Sequence, residues 1–314
     1  MPSLRAILVR TAVKALFAPI LQPGMPLETM RRRYEATLGR VKLPREVQVE
    51  AITAGTVPGE WVSASATIPE RVMLYLHGGA YVMGSCATHR RFAAALSRVT
   101  GLRVLVLGYR LAPEDPFPAA LEDAVAGYRW LLASGFTPQS IVLAGDSAGG
   151  GLALSTLVAV RDAGDPLPAA AVLLSPWTDL AASGASYQTH AKRDGILQIP
   201  WLVEQRQRYL EDQDVHTPLA SPLYADLHGL PPLLIHVGSN EILLDDATQL
   251  AERARQVGVN VTLFVGAGMW HVWHIAAALR PLFPEGKVAL ESIGAFVWHH
   301  LSGLEVSRNP YAHA

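Results

Sequence analysis

The 314-residue sequence contains a single cysteine, Cys86, and only 17% of its residues are charged. One cysteine excludes an internal disulfide and favours a reducing compartment. We interpret Cys86 as a small, partly buried side chain rather than as a nucleophile. The charges nearly cancel, with 26 basic and 27 acidic side chains, and Arg31-Arg32-Arg33 is the one basic block. We interpret that block as a solvated helix face, so the charge pattern indicates no nucleic-acid partner.

Long apolar runs are also missing, since none approaches the ~18 residues needed to cross a bilayer. The first 20 residues mix basic and apolar side chains as a signal peptide does. However, Arg10 and Lys14 interrupt any apolar segment of the length that a signal needs. We therefore expect an N-terminal helix that lies on the protein body, no membrane span, and a cytoplasmic location.

The clearest regular pattern is a series of short, nearly continuous apolar runs, which is typical of strands covered on both faces. The runs occupy residues 72–77, 104–109, 141–145, 170–175, 233–238 and 261–266. Helical stretches lie between most of them, and residues 47–53 and 60–67 alternate as an antiparallel hairpin does. The sequence therefore predicts an α/β fold with a mostly parallel sheet of about eight strands and helices on both faces.

One connection is too long for a single crossover helix, because 57 residues separate Ser175 from Leu233. Connections of this length usually form a lid or a binding insertion. Pro200 at the start of PWLVEQRQRYLE predicts a helix near 200–211. We expect an insertion at about 180–225 and the N-terminal residues 1–45 to form a helical cap over the ligand site of a catalytic domain, 46–314.

The strongest candidate for a nucleophile is Ser147 in the stretch GDSAG, which follows the apolar run 141–145 and precedes an apolar helix. A G-x-S-x-G pattern between a strand and a helix forms a sharp turn that presents the serine hydroxyl. Glycines two positions away on each side are needed because the turn leaves no space for side chains. The sequence therefore predicts a nucleophilic Ser147, with a helix-capping serine as the alternative.

Two further loops at the carboxyl ends of strands carry matching chemistry. The run 72–77 ends in His77-Gly78-Gly79-Ala80, whose glycine amides, with that of Ala148, could donate to an oxyanion. His271 follows the last apolar run and is the candidate base, with His274 as its rival. No nearby carboxylate or cysteine completes a metal site with these two histidines, so no metal is expected.

Together these motifs resemble the hormone-sensitive-lipase-like branch of the α/β-hydrolases, bacterial esterase family IV. The matching stretches are HGGAYVMGS, YRLAPEDPFPAALED, GDSAGGGLAL, SPWTDL, LPPLLIHVG and His271. The resemblance implies a carboxylesterase for a small, short-acyl ester, without metal or organic cofactor. It also implies Gly78, Gly79 and Ala148 as oxyanion donors, and a homodimer built on an edge strand and a helix.

The third member of a triad must be an acid, and GSNEILLDD offers three candidates. Glu241 comes first after the strand, where the family usually has Asp. Asp245 and Asp246 begin the next helix, where carboxylates commonly cap amides and complement the helix dipole. We predict that Glu241 is the triad acid and that Asp245 and Asp246 are helix caps.

The predicted reaction is attack of Ser147 on an ester carbonyl, with His271 as base and an acyl-enzyme intermediate. Two alternatives remain open from the residues. A hydrolase-like scaffold can serve as a ligand-binding receptor without turnover. Amidase or peptidase chemistry uses the same motifs.

Overall fold

The protein is built on one eight-stranded sheet. The computed structural model describes residues 1–64, 67–279 and 283–301. The strands are β1 Gln48–Ala54, β2 Val57–Ser63, β3 Ile68–Leu76, β4 Leu102–Leu107, β5 Ile141–Asp146, β6 Ala170–Leu174, β7 Leu233–Gly238 and β8 Val261–Gly266. Their order across the sheet is β1-β2-β4-β3-β5-β6-β7-β8.

The sheet is parallel from β4 to β8, and the two antiparallel pairs are β1 with β2 and β2 with β4. The predicted mostly parallel sheet with an N-terminal hairpin is therefore confirmed. The hairpin turn is shorter than expected and consists of Gly55-Thr56. Strand β2 begins at Val57 because this residue already pairs with Ala54, the last residue of β1. Residues 65 and 66 of the predicted second strand lie outside the described residues.

Helices connect the parallel strands and cover both faces of the sheet. They are α1 Leu4–Phe17, α2 Leu27–Leu38, α3 Cys86–Thr100, α4 Ala119–Ala133, α5 Ala148–Asp162, α6 Ser186–Thr189, α7 Ala191–Asp194, α8 Ile199–Leu210, α9 Leu244–Gln256, α10 Trp273–Leu279 and α11 Pro284–Leu301. Residues of α4, α5 and α9 share one hydrophobic cluster with the sheet, and residues of α3 and α11 share the other.

The two clusters follow from the alternation of side chains along each strand. In β3, Leu74 and Leu76 belong to one cluster, whereas Met73 and Tyr75 belong to the other. Because both faces are covered, both sets are apolar and fully buried. This explains the continuous apolar runs of the sequence and fixes which strand ends lie side by side.

Helices α1 and α2 and the insertion helices α6 to α8 lie at the beginning of the chain and between β6 and β7, as expected for a cap. The division into a cap and a catalytic domain stays a prediction. No helix within the described residues is long and apolar enough to span a membrane.

Arg31 of α2 corrects one expectation. Its guanidinium donates to the carbonyl oxygens of Val82 (2.6 Å) and Ala112 (2.8 Å) and pairs with Glu114 at 2.7 Å. The interpretation of residues 31–33 as a merely solvated face is therefore wrong for Arg31. The carbonyl groups of Val82 and Ala112 need hydrogen-bond donors, and the guanidinium of Arg31 provides them.

Candidate active site

Ser147 occupies the turn between β5 and α5 with φ 53° and ψ −123°. This is a left-handed backbone conformation that costs free energy for a residue with a side chain. A Cβ on Gly149 would collide with the carbonyl oxygen of Leu76, and one on Gly145 would collide with that of Gly149. The two glycines of the motif are therefore required by close backbone contacts, and these contacts hold Ser147 in its strained turn.

The structure brings Ser147, His271 and Glu241 together in one hydrogen-bonded line. The Nε2 atom of His271 lies 2.9 Å from the Oγ atom of Ser147. The Nδ1 atom of His271 lies 2.8 Å from Oε2 of Glu241. Ser147 follows β5, Glu241 follows β7 and His271 follows β8, so all three come from the same edge of the sheet.

The second carboxylate oxygen of Glu241 is held by two other donors. Its Oε1 atom accepts from the Ser175 hydroxyl at 2.7 Å and from the Gly238 amide at 2.5 Å. The Ser175 oxygen also accepts from the amide of Val272, next to His271, at 3.2 Å. Glu241 is fully buried, and these bonds leave its carboxylate one orientation. Sequence reasoning did not assign a role to Ser175, although it begins the SPWTDL stretch.

The acid raises the basicity of the histidine. Burial by itself lowers the pKa of His271, but the hydrogen bond and charge of Glu241, with a smaller contribution from Asp194, raise it above the usual value of 6.5. The carboxylate thus favours the imidazolium that forms when His271 accepts a proton.

Asp194 connects the insertion to this acid. Its Oδ2 atom accepts from the amide of Ile242 at 2.9 Å. Its Oδ1 atom accepts from the amides of Ile196 (3.1 Å) and Leu197 (2.9 Å). Asp194 is fully buried, so a single carboxylate fixes the residue after Glu241 against the segment that follows α7.

The predicted oxyanion donors need one correction. The amide of Gly78 donates to Oδ1 of Asp146 at 2.9 Å, so it is not available to a substrate oxygen. The prediction that Gly78 donates into the oxyanion hole is therefore wrong in this structure. The amides of Gly79, Ala80 and Ala148 have no acceptor among the described residues. Ala80 has φ 53°, a backbone conformation that residues with a side chain rarely adopt.

The other titratable candidates have structural roles. The His77 ring contacts the Gly78 carbonyl at 2.8 Å, and burial lowers its pKa to about 3. His274 bonds the ring of His236 at 3.0 Å instead of approaching Ser147. Burial raises the pKa of Cys86 to about 12, so its thiol stays protonated at neutral pH.

An apolar cavity of about 100 Å³ opens beside the candidate nucleophile. Its walls come from α1, α2, the segment between α7 and α8, and the loops that carry Ser147 and His271. The lining includes Val13, Phe17, Tyr34, Leu38, Gly79, Ala80, Ile196, Leu197, Trp201 and Trp270. Within the described residues, no group of three or more His, Cys, Asp or Glu side chains could hold a metal ion.

The sequence is similar to those of known proteins. A family model described as an alpha/beta hydrolase fold matches residues 73–275. The chain is 50% identical to an acetyl-hydrolase of Streptomyces hygroscopicus over 248 residues. The aligned region covers 79% of this chain and 82% of that protein. It is 37% identical over 252 residues to an esterase of Acinetobacter venetianus, covering 80% and 82%.

A solved structure extends the likeness to almost the whole chain. The crystal structure of an esterase from the bacterial hormone-sensitive lipase family is 46% identical, with a TM-score of 0.90 over 96% of this chain and 100% of that one. The chain belongs to the hormone-sensitive-lipase-like esterases of the α/β-hydrolase family. The resemblance drawn from the sequence motifs is thereby confirmed.

The two remaining acids of this esterase's GSNEILLDD stretch do not cap their own helix. Helix α9 begins after Leu243, and no side chain caps it. Oδ2 of Asp246 accepts from the amides of Thr178 and Asp179, both at 2.9 Å, and Oδ2 of Asp245 accepts from the Ser186 amide at 2.8 Å. The helix-cap prediction is therefore wrong, because both carboxylates bind backbone of the segment that follows β6.

Asp246 offers a test of this role. Burial, and then the charge of Asp179, raise the pKa of Asp246 well above its usual range. Its ionisation therefore destabilises the fold, and the wild type loses stability as pH rises from the unfolded pKa of about 3.9 towards the raised folded value. The Asp246→Asn side chain stays neutral and still accepts from both amides. We therefore expect its free energy of unfolding to lie within about 1 kcal/mol of the wild-type value at neutral pH, and to become more favourable relative to the wild type as pH rises.

The matched variant Asp246→Ala leaves the amides of Thr178 and Asp179 without their acceptor. Its free energy of unfolding should therefore be about 1–3 kcal/mol lower than that of the wild type. Urea unfolding of the three proteins, at a mildly acidic and a mildly alkaline pH, measures both effects. Equal losses for the Asn and Ala variants would contradict this account, since they would mean that the negative charge itself stabilises the fold.

Proposed function

We propose that this esterase hydrolyses short-acyl carboxylic esters, with Ser147, His271 and Glu241 as its catalytic triad. The observation that carries the proposal is the hydrogen-bonded line from Ser147 through His271 to Glu241, beside an apolar cavity. A serine with a positioned imidazole, which is oriented in turn by a carboxylate, is the arrangement used in acyl transfer. The names of its relatives support ester substrates.

The first step follows from the geometry around Ser147. Its Oγ attacks the ester carbonyl carbon while Nε2 of His271 takes the hydroxyl proton. The carbonyl oxygen becomes an oxyanion, and we assign as its donors the amides of Gly79, Ala80 and Ala148, which have no acceptor among the described residues. Each such donor contributes about 3–4 kcal/mol to transition-state stabilisation in a comparable site.

The imidazolium then completes the cycle. His271 gives its proton to the alkoxide, which leaves as an alcohol, and Ser147 keeps the acyl group. A water molecule next transfers a proton to His271 and attacks the acyl carbon, which releases the carboxylic acid and restores the Ser147 hydroxyl. Glu241 holds Nδ1 as the protonated nitrogen throughout, so that Nε2 is the one available to Ser147.

The size of the cavity supports a short acyl group. A cavity of about 150 Å³ in a protein interior accommodates benzene. The cavity here is about 100 Å³ and is bordered by large buried side chains, among them Trp201 and Trp270. An acyl chain of a few carbons fits this space, whereas a long chain has to displace these side chains.

Two further expectations stay predictions. A homodimer would use an edge of the sheet, and Val265 on the edge strand β8 is 42% exposed. The cytoplasmic location rests on the sequence alone.

Ser147→Ala tests the nucleophile. We expect it to abolish hydrolysis of p-nitrophenyl acetate and covalent labelling by a fluorophosphonate, because no other group takes the place of Oγ. Ser155→Ala, which changes a buried serine of α5, the helix that follows Ser147, is the control that should keep both the activity and the labelling. Full activity of Ser147→Ala would refute the assignment, and a wild type that forms no adduct would favour a ligand-binding receptor.

Glu241→Gln tests the acid through the pH profile. Because Glu241 raises the pKa of His271, and protonated His271 cannot accept the serine proton, kcat/KM of the wild type should fall at acidic pH around that raised value. We expect Glu241→Gln to lower kcat by roughly 10²- to 10⁴-fold and to move the acidic limb to lower pH. Asp245→Asn is the matched control, with the wild-type pH profile. If the acidic limb of the pH profile does not move in Glu241→Gln, an acid other than Glu241 sets the pKa of His271.

Leu197→Ala tests whether the cavity selects the acyl chain. For the wild type we expect kcat/KM to be highest for p-nitrophenyl acetate or butyrate and to fall roughly tenfold or more by the octanoate. Removing the Leu197 side chain enlarges the cavity and should shift the optimum to a longer chain. Leu180→Ala, a buried leucine of the same insertion outside this cavity, should keep the wild-type preference. An unchanged optimum in Leu197→Ala would place the acyl group elsewhere.

A further inference from the structure

Helix α1 exposes an unusual amount of apolar surface. Five of the nine large apolar side chains that stand exposed among the described residues lie within residues 1–16, so this exposure is concentrated rather than scattered. Leu4 is 81% exposed and Leu8 is 70% exposed. Concentrated exposure of this kind marks an interaction surface.

The exposed residues form one continuous face of the helix. Apart from Arg5 and Lys14, they lie at positions 4, 7, 8, 11, 12, 15 and 16, which recur at helical spacing, and all of these except Thr11 are apolar. The opposite face, with Ala6, Val9, Val13 and Phe17, packs on the hydrophobic core. A surface helix ordinarily turns mostly charged and polar side chains to solvent, whereas the exposed side of α1 is largely apolar, with Arg5 and Lys14 as its charged members.

Positive charges border this face. Helix α1 carries Arg5, Arg10 and Lys14 and no acidic residue. The guanidinium of Arg10 donates to the carbonyl oxygen of Arg193 in the insertion, which places the backbone of Arg193 next to α1; Arg193 and its neighbour Lys192 are both exposed. The nearby carboxylate of Glu285 is already engaged by the amide and hydroxyl of Ser3. The region is therefore locally cationic in a chain whose net charge is −1.

We propose that the exposed face of α1 docks on the surface of an anionic phospholipid bilayer. An apolar helix face bordered by lysine and arginine side chains lies in the plane of such a surface, with its apolar residues among the acyl chains and its cations at the headgroups. A second copy of this chain fits the surface less well. A symmetric contact would bring the cations of one copy against those of the other.

The position of α1 gives the docking surface a consequence for substrates. Leu16 belongs to the exposed face and also lines the cavity beside Ser147, together with Val13 and Phe17. A bilayer that covers α1 therefore meets the entrance of the cavity, and esters dissolved in the bilayer reach it without crossing water. This consequence rests on the proposed function, whereas the docking itself does not.

Vesicle sedimentation tests the docking directly. The wild type is mixed with vesicles of phosphatidylcholine alone, or with vesicles that also contain phosphatidylglycerol. We expect binding to the anionic vesicles, little binding to the neutral ones, and weaker binding at high salt because the headgroup attraction is screened. Ser147→Ala should bind as the wild type does, so that a failure of the proposed function leaves this readout intact.

Two pairs of substitutions separate the apolar from the ionic contribution. L4S/L8S removes apolar side chains that are exposed and lie outside the catalytic cavity, and R5Q/K14Q removes two cations. Each pair should weaken binding to anionic vesicles about tenfold or more. V49S changes a 38% exposed valine on the edge strand β1, outside α1, and should bind as the wild type does. L4S/L8S should also hydrolyse water-soluble p-nitrophenyl acetate at the wild-type rate, which shows that it is folded.

Three results would overturn the proposal. The wild type could stay in the supernatant with anionic vesicles, or both pairs of substitutions could bind them as tightly as the wild type. Light scattering could also reveal a dimer that L4S/L8S dissociates, which would assign the face to a second copy of the chain.

Discussion

The close contact between the ends of β3 and β5 determines the geometry of the active site. The two strands are neighbours in the sheet, and the backbone of Gly149 packs directly on the carbonyl oxygens of Leu76 and His77. Asp146 strengthens the same junction, because it ends β5 while its side chain accepts from Tyr75 and Gly78 at the end of β3. One junction therefore holds both the strained turn of Ser147 and the loop that carries Gly79 and Ala80. The amide donors of the proposed mechanism are thus placed before any substrate arrives, which is the condition for effective oxyanion stabilisation.

The same junction explains what could and could not be predicted from the sequence. The apolar runs predict the parallel strands, and strand ends at one edge of a sheet predict that Ser147, Glu241 and His271 meet. The assignment of Gly78 failed for a different reason. An H-G-G motif indicates accessible amides. However, the Gly78 amide donates to the side chain of Asp146, which lies 68 residues away in the sequence. Competition of this kind depends on tertiary contacts that no local pattern contains.

The acids after β7 show the same limit. Their position at the start of α9 predicted caps, because local spacing relates them only to their own helix. In the fold, the segment after β6 passes beside α9, and its amides at Thr178, Asp179 and Ser186 donate to side chains of α9 rather than to backbone. Asp245 and Asp246 satisfy these amides. Ser175 went unassigned because a serine after a strand has no distinctive spacing. Its hydroxyl matters only because β6 lies next to β7, which brings it to Glu241.

Glu241 and the cavity wall are parts of one connected unit. The longer side chain of glutamate, where the family usually has aspartate, reaches His271 with one oxygen while the other binds Ser175 and the nearby Gly238 amide. The next residue, Ile242, is fixed by Asp194, and the same carboxylate fixes Ile196 and Leu197, which line the cavity. A movement of the insertion therefore displaces the backbone next to Glu241, and a movement of Glu241 displaces the cavity wall. Because a buried, fully hydrogen-bonded carboxylate resists rearrangement, this connection favours a rigid wall. Adaptation to different substrates is then left to the other parts of the lining, which include Val13 and Phe17 of α1 and Tyr34 and Leu38 of α2.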